Sequence, residues 1–231
     1  MQITTSYSSA HKLLLSAILL FAATAAQGLD VSGSLSLKTK YLGKLGTTAD
    51  NDTVLQPYVE ANHASGMYGY IWFNLPLKAH NPSRSLEFEP SVGYRTNVGK
   101  WKVDASLTLF DIQNPRVFDF KGDILSPKIK ASRNGYYTEY LQYIADRGKD
   151  GFLVEVGKAF KPTQQLAVSV NVTYVDGPFH FEPIVYARFK AKYQFASSAW
   201  QVSLDVLDLV EREASNEQRR DRVAVGLHYA F

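Results

Sequence analysis

Five histidines and no cysteine set the limits on what chemistry this chain could carry. Without a thiol there is no cysteine nucleophile, no thiolate metal site and no disulfide. His180 lies close behind Asp176, and an Asp/His pair is the least a hydrolase needs to activate water. A single His beside an Asp at a turn is more often a hydrogen-bonded surface group. His63 could serve a Ser-His-Asn arrangement, but no matching serine motif is visible. His228 has no obvious partner in the sequence. No spacing of His, Asp and Glu suggests a metal site, and no cofactor is expected. The most suggestive pattern is Arg188-x-Lys190-x-Lys192, a basic ladder. It could attract anionic solutes, or it could form one side of an ion-pair lattice, which is the preferred reading.

The elements that position these residues follow from periodicity. Leu35, Leu37, Thr39 and Tyr41 alternate with Ser34, Ser36, Lys38 and Lys40. A period of two places alternate side chains on opposite faces of a strand. The same alternation marks about 31–42, 54–63, 67–77, 86–96, 101–112, 136–145, 152–160, 166–175, 179–195, 200–210 and 222–231. These are eleven strands, and the mature chain shows no amphipathic helical stretch. Met1 to Lys12 is polar, Leu13 to Phe21 is apolar, and small residues follow to Ala26. This is the layout of a cleaved signal peptide, 1–26, ahead of one domain over 27–231. Its apolar run is shorter than the ~20 residues of a spanning helix. Mean hydropathy of −0.18 excludes a polytopic helical membrane protein. A net charge of +3 with no basic stripe gives no nucleic-acid partner.

Two all-β architectures compete, a soluble sandwich and a transmembrane barrel. Strand length favours the barrel. The run from Phe179 to Phe195 carries aromatics at both ends and Pro183, Val185 and Ala187 between. From Phe181 to Tyr193 is ~40 Å along an extended strand. Tilted by ~40°, it projects to ~30 Å, near the ~25 Å apolar band of outer-membrane barrels. Tyr94, Trp101, Tyr193, Phe195, Trp200, Tyr229 and Phe231 fall at one rim. Connections alternate short and long, as periplasmic turns and extracellular loops do. A bacterial single-chain barrel has an even strand number. A twelfth strand is therefore expected in 113–135, with Val117 to Phe120 and Ile124-Leu125 as candidates, and ten strands are the alternative.

The chain ends on Val223, Val225, Leu227, Tyr229 and Phe231, each separated by one residue. This resembles the C-terminal signature of Gram-negative outer-membrane barrels, which implies recognition by the barrel-assembly machinery. Further segments resemble the TorF family of porins: Lys40-Tyr41-Leu42-Gly43, Leu55-Gln56-Pro57-Tyr58-Val59 and His63 to Trp72. So do Gly93-Tyr94-Arg95 and Tyr137-Thr138-Glu139-Tyr140. The resemblance covers most of 31–231 and departs in 113–135. It implies passive transport of small solutes across the outer membrane, with outer-membrane lipid around the barrel.

On this phasing the lumen is lined by Lys38, Lys40, Arg95, Lys102, Arg188, Lys190, Lys192 and Arg222, against Glu60, Glu87, Glu89, Asp104, Glu182 and Asp205. Lys190 falls opposite Asp205 as a cross-strand pair. Tyr70 and Trp72 also point inward, where rings fill a small barrel or stack on sugars. The expectation is a porin-like channel and no enzyme. The alternatives are an omptin- or phospholipase-like outer-membrane hydrolase and a plugged structural or adhesion barrel.

Overall fold

The computed structural model describes residues 28–44, 48–50, 52–77, 86–113, 124–145, 149–177, 183–211 and 222–231. The expected signal peptide lies outside them, as do Val117 to Phe120, His180 and Glu182. In chain order the strands are β1 (Leu29–Lys38), β2 (Tyr41–Leu42), β3 (Thr48–Asp50), β4 (Val54–His63) and β5 (Met67–Pro76). Then come β6 (Leu86–Val98), β7 (Trp101–Gln113), β8 (Ile124–Arg133), β9 (Tyr136–Ala145) and β10 (Gly151–Phe160). The last four are β11 (Leu166–Asp176), β12 (Ile184–Gln194), β13 (Trp200–Glu211) and β14 (Val223–Ala230). Every strand except β2 and β3 belongs to one closed antiparallel barrel, in which neighbours in the wall follow chain order and β1 pairs with β14. That is twelve strands, not ten.

Parity sorts the wall into two faces. Cross-strand partners such as Val59 with Ile71, Val156 with Val172, and Val202 with Leu227 lie on the outside. Val31, Val59, Ile129, Val156, Val172 and Val225 are all exposed there. A wall of β-branched side chains turned to its surroundings is what a lipid-facing barrel needs and a water-soluble one avoids. Two girdles border it. Tyr94, Trp101, Tyr193, Phe195, Trp200, Tyr229 and Phe231 are exposed at the end closed by the short turns. Phe73 packs on Phe88 at 4.8 Å, and Phe152 on Tyr174 at 5.7 Å, toward the loop end. Along β10, Phe152 and Phe160 stand ~26 Å apart at ~3.3 Å per step.

The twelfth strand falls in 113–135 as expected, and two other elements differ from the sequence reading. The twelfth strand is β8, which begins at Ile124. It is joined to β9 by Asn134-Gly135, with φ of 53° and 82°. Positive φ at both central residues is the two-residue hairpin turn that Asn-Gly favours. Of the run 179–195, β12 covers Ile184–Gln194, Pro183 precedes it, and 179–182 lie outside the described residues. The first strand stops at Lys38 instead of continuing to Leu42, and the chain then leaves the wall. Thr39 marks the break: its amide donates to Val225 O at 2.9 Å, and its Oγ1 accepts from the Val225 amide at 3.1 Å.

Closure is tightest where the two ends of the sheet meet. Gly33 and Phe231 exchange backbone hydrogen bonds of 2.9 and 3.1 Å. The Phe231 ring lies over Gly33, so that a Cβ there would fall 2.5 Å from the ring and 2.9 Å from Tyr58 O. A side chain at Gly33 must displace the ring or the strand. Gly33→Val is therefore expected to destabilise the closed barrel by about 1–3 kcal/mol. The check is the temperature at which the folded, fast-migrating band is lost on an SDS gel, which should fall.

Candidate lumenal site

The segment leaving β1 folds into the barrel. β2 pairs with β3 as a separate two-stranded ribbon. Its Leu42 is 3% exposed and packs among Ile124, Leu141, Tyr143, Leu153, Val175, Tyr186, Leu207 and Ala224. These belong to the loop-end half of β8 through β14 and face inward. The inner wall there is apolar, unlike the polar lining expected from parity. Burying the Leu42 side chain against it contributes about 1.5–3 kcal/mol.

Three polar contacts hold the segment. Arg188 Nη2 donates to Leu42 O at 2.8 Å, and Tyr186 OH to Lys44 O at 2.8 Å. Lys44 Nζ donates to Glu139 Oε1 at 2.6 Å. The Glu139 carboxylate, itself buried, also meets Lys130 at 3.6 Å. Backbone carbonyls that leave a sheet inside a barrel need donors, and here Arg188 and Tyr186 on β12 supply them. Enclosure works against the Lys44 ammonium, but the Glu139 carboxylate outweighs it and holds the group protonated above its ordinary range.

Arg188 is also fixed from the other side. Its Nε and Nη2 donate to the two oxygens of Asp205 at 2.8 and 2.6 Å. Lys190 is opposite Asp205 in the register, as expected. The carboxylate nonetheless takes the neighbouring guanidinium, whose fork fits both oxygens. Lys38, Lys190 and Lys192 share this wall and form no ion pair among the described residues. Among the described residues, Arg188 is the one cation of the ladder that is paired.

Toward the turn end a second cluster centres on Arg95. It donates to both oxygens of Glu60 at 2.9 and 3.0 Å, to Asn62 at 2.9 Å and to Asp104 at 3.2 Å. Its guanidinium stacks 3.7 Å from the Tyr68 ring, and Tyr68 OH donates to Asp104 at 2.6 Å. Tyr58 OH also donates to Glu60. Four strands, β4 to β7, are tied together by this network.

Between the inward segment and the β5–β9 wall is a cavity of about 170 Å³. Tyr41, Lys44, Tyr70, Trp72, Glu87, Glu89, Lys128 and Tyr143 are among the residues that line it. The Tyr41 phenol faces Glu87 and Glu89, and its ring sits 5.5 Å from Trp72. Tyr70 OH hydrogen-bonds Thr108 at 3.3 Å.

Register thus brings the expected residues to the inner face in three groups: Glu60, Arg95 and Asp104; Tyr70, Trp72, Glu87 and Glu89; Lys38, Arg188, Lys190, Lys192 and Asp205. Lys102 is exposed near the turn end, Lys40 lies in the bend after β1, and Arg222 directly precedes β14. Val223, Val225, Leu227, Tyr229 and Phe231 face outward. Of the hydrolase candidates, His180 lies outside the described residues. Asp176 is taken by Lys149 at 2.5 Å, and His63 shares a local turn contact with Ser65 at 2.8 Å. His228 does have partners, Ser36 Oγ at 2.6 Å and Ser203 Oγ at 2.7 Å. Sequence reading missed Leu42, Lys44, Lys128, Glu139 and Tyr143. An unplaced β8 hid Lys128, and nothing in a period-two pattern marks a loop that turns inward.

The class is defined by this geometry: an all-β, closed, twelve-stranded antiparallel barrel of the outer-membrane kind. No family model and no curated protein matches the sequence. Among solved structures the chain is similar to the KdgM porin, with a TM-score of 0.60 at 11% identity over 87% of this chain and 99% of that one. It is also similar to the KdgM porin in complex with disordered oligogalacturonate, with a TM-score of 0.55 at 11% identity over 87% and 98%. The NanC porin has a TM-score of 0.50 at 9% identity, again over 87% and 98%. At these identities the likeness is one of fold.

The inward segment can be tested directly. Arg188→Lys keeps a charge but cannot reach Asp205 and Leu42 O together. Losing a charge-assisted hydrogen bond of about 1.5–3 kcal/mol should speed tryptic cleavage after Lys44 roughly tenfold or more. Fragment masses from the folded, heat-modifiable protein are the readout.

Proposed function

We propose that this chain is an outer-membrane porin-like channel for the passive diffusion of small solutes. The observation that carries the reading is a closed twelve-stranded barrel, apolar outside, whose lumen holds charged walls and an inward-folded segment. In this reading residues 1–26 direct export, the C-terminal Val223-to-Phe231 pattern addresses the assembly machinery, and lipid surrounds the girdled wall. The short turns then face the periplasm. The segments quoted from the sequence support a place in the TorF family. The lining role belongs to Lys38, Lys40, Glu60, Tyr70, Trp72, Glu87, Glu89, Arg95, Lys102, Asp104, Arg188, Lys190, Lys192, Asp205 and Arg222, with Glu182 outside the described residues.

A plugged barrel is the second reading, favoured by the seating of Leu42 in an apolar belt. Planar-bilayer recording separates the two. Discrete single-channel current from the refolded wild type supports the channel. Silence from the wild type, with current only after residues 41–50 are replaced by a short Gly-Ser link, supports the plug. The lysines without an ion pair among the described residues make a further expectation. Replacing Lys38, Lys190 and Lys192 with Gln should lower the anion-to-cation permeability ratio, measured as a shift in reversal potential under a salt gradient.

A further inference from the structure

The outward faces of β8, β9 and β10 contain two charged side chains, Arg133 and Lys158, and no Asp or Glu. Both stand near the short turns, and register puts them in one row. Lys102 faces Ser132 on the inside, so the adjacent outward pair is Trp101 and Arg133. Arg133 is opposite Tyr136, and Tyr136 is opposite Lys158. Across β7 to β10 the row therefore reads Trp, Arg, Tyr, Lys. The hairpin that carries its centre is tied to β10, since Gly135 O accepts from the Ala159 amide at 2.7 Å. The Lys158 ammonium donates to Tyr136 OH at 3.1 Å and lies 4.5 Å from that ring. The Arg133 guanidinium lies 6.0 Å from the Trp101 ring. Neither cation joins an ion pair among the described residues, and Arg133 donates no hydrogen bond among them. The turn-end segments 97–101, 132–137 and 159–166 add Lys100 and Lys161 and no acid.

Lys158 stands two residues, or ~7 Å, on the apolar side of the exposed ring Phe160. A cation on a lipid-facing wall is unfavourable, more so with depth, unless an anion meets it. This part of the wall supplies none. What lies beside a lipid-facing wall at the height of its aromatic girdle is lipid headgroups, and the anion they carry is a phosphodiester. The donors of the row suit that group. The Arg133 fork matches two phosphate oxygens, and the Lys158 ammonium adds a point charge. Tyr136, which accepts from Lys158, keeps its own O–H to donate. Strands β8 and β10 are two apart, ~10 Å, a gap that both long side chains can close over Tyr136. A zwitterionic headgroup brings an ammonium of its own, which the two cations repel. We propose that this turn-end face of β7 to β10 is a binding site for an anionic phospholipid, held through its phosphodiester by Arg133 and Lys158. The proposal rests on lipid surrounding the girdled wall, as proposed above, and not on whether the lumen conducts.

Lipids brominated on their acyl chains quench the tryptophans they touch, and two girdle reporters make the test. Trp200→Phe leaves Trp101, within the row, and Trp101→Phe leaves Trp200, on β13. Trp72 lines the inner cavity in both. The refolded protein is placed in phosphatidylcholine vesicles that contain a minor fraction of brominated phosphatidylglycerol, or the same fraction of brominated phosphatidylcholine. The expected result at Trp101 is an enrichment of phosphatidylglycerol of about fivefold or more, the effect of one basic residue near anionic lipid. At Trp200 the two lipids should quench alike. Arg133→Gln combined with Lys158→Gln should remove the enrichment at Trp101, and the heat-modifiable gel shift confirms that the variant is folded. Equal quenching by both lipids at Trp101, the same enrichment at Trp200, or an undiminished enrichment in the double variant overturns the proposal. So does loss of the enrichment on adding inorganic phosphate at constant ionic strength, which assigns the two cations to a free anion. Quenching of both reporters by brominated phosphatidylcholine, with no excess for phosphatidylglycerol, refutes the site alone. Quenching of neither reporter by either lipid refutes the lipid-facing wall and the site together.

Discussion

The pairing of β1 with β14 is the constraint on which the rest of the structure depends. A sheet with free edges leaves a row of unpaired amides and carbonyls on each. In an apolar surrounding each such group costs several kcal/mol, so only a closed sheet is tolerated. Closure fixes the register of every strand, and register fixes parity. Once Leu37 is opposite Leu227 and Leu55 on its two neighbours, the whole wall is committed to an apolar outside. The bare backbone at Gly33 is part of the same requirement, because the Phe231 ring needs its space there.

Closure also creates an interior that must be filled or wetted. The two ends of this barrel solve the problem differently. Near the turns, charges neutralise one another locally: Arg95 serves Glu60 and Asp104, and Tyr68 seals the group beneath it. Near the loops the inner wall is apolar and is covered by Leu42 on a segment that has left the wall. The break that permits this is local. Thr39 satisfies Val225 from both its backbone and its side chain, so β14 loses little when β1 stops short of its sequence pattern.

Much of the fold was legible because a strand with two different environments writes its period into the sequence. Eleven of the barrel strands were visible in this way. The twelfth, β8, was obscured by Pro127 and by the lysines Lys128 and Lys130 on its inner face, although Asn134-Gly135 marked its turn. The site was less legible. Parity places Glu89 or Arg188 on the inner face, but it does not say which groups find partners. The choice of Arg188 over Lys190 by Asp205 depends on guanidinium geometry, not on register. The position of Tyr41 and Leu42 was misread for a physical reason. They continue the alternation of β1, and only the contacts with Arg188 and the apolar belt make leaving the wall favourable.

The inward segment links walls of opposite character. On one side Arg188 of β12 holds the Leu42 carbonyl, and Lys38, Lys190 and Lys192 surround that contact with positive charge. On the other side Tyr41 faces Glu87 and Glu89 of β6. A segment of alternating polar and apolar groups can bridge such walls because it meets each with a different atom: a carbonyl for the guanidinium, a phenol for the carboxylates, an ammonium for Glu139. Leu42 contributes burial without regard to charge. The position of the segment is therefore set by chemistry on both flanks at once. Arg188 and the apolar belt on one flank and Glu139 on the other hold different atoms of the segment, so each contact constrains it independently of the others.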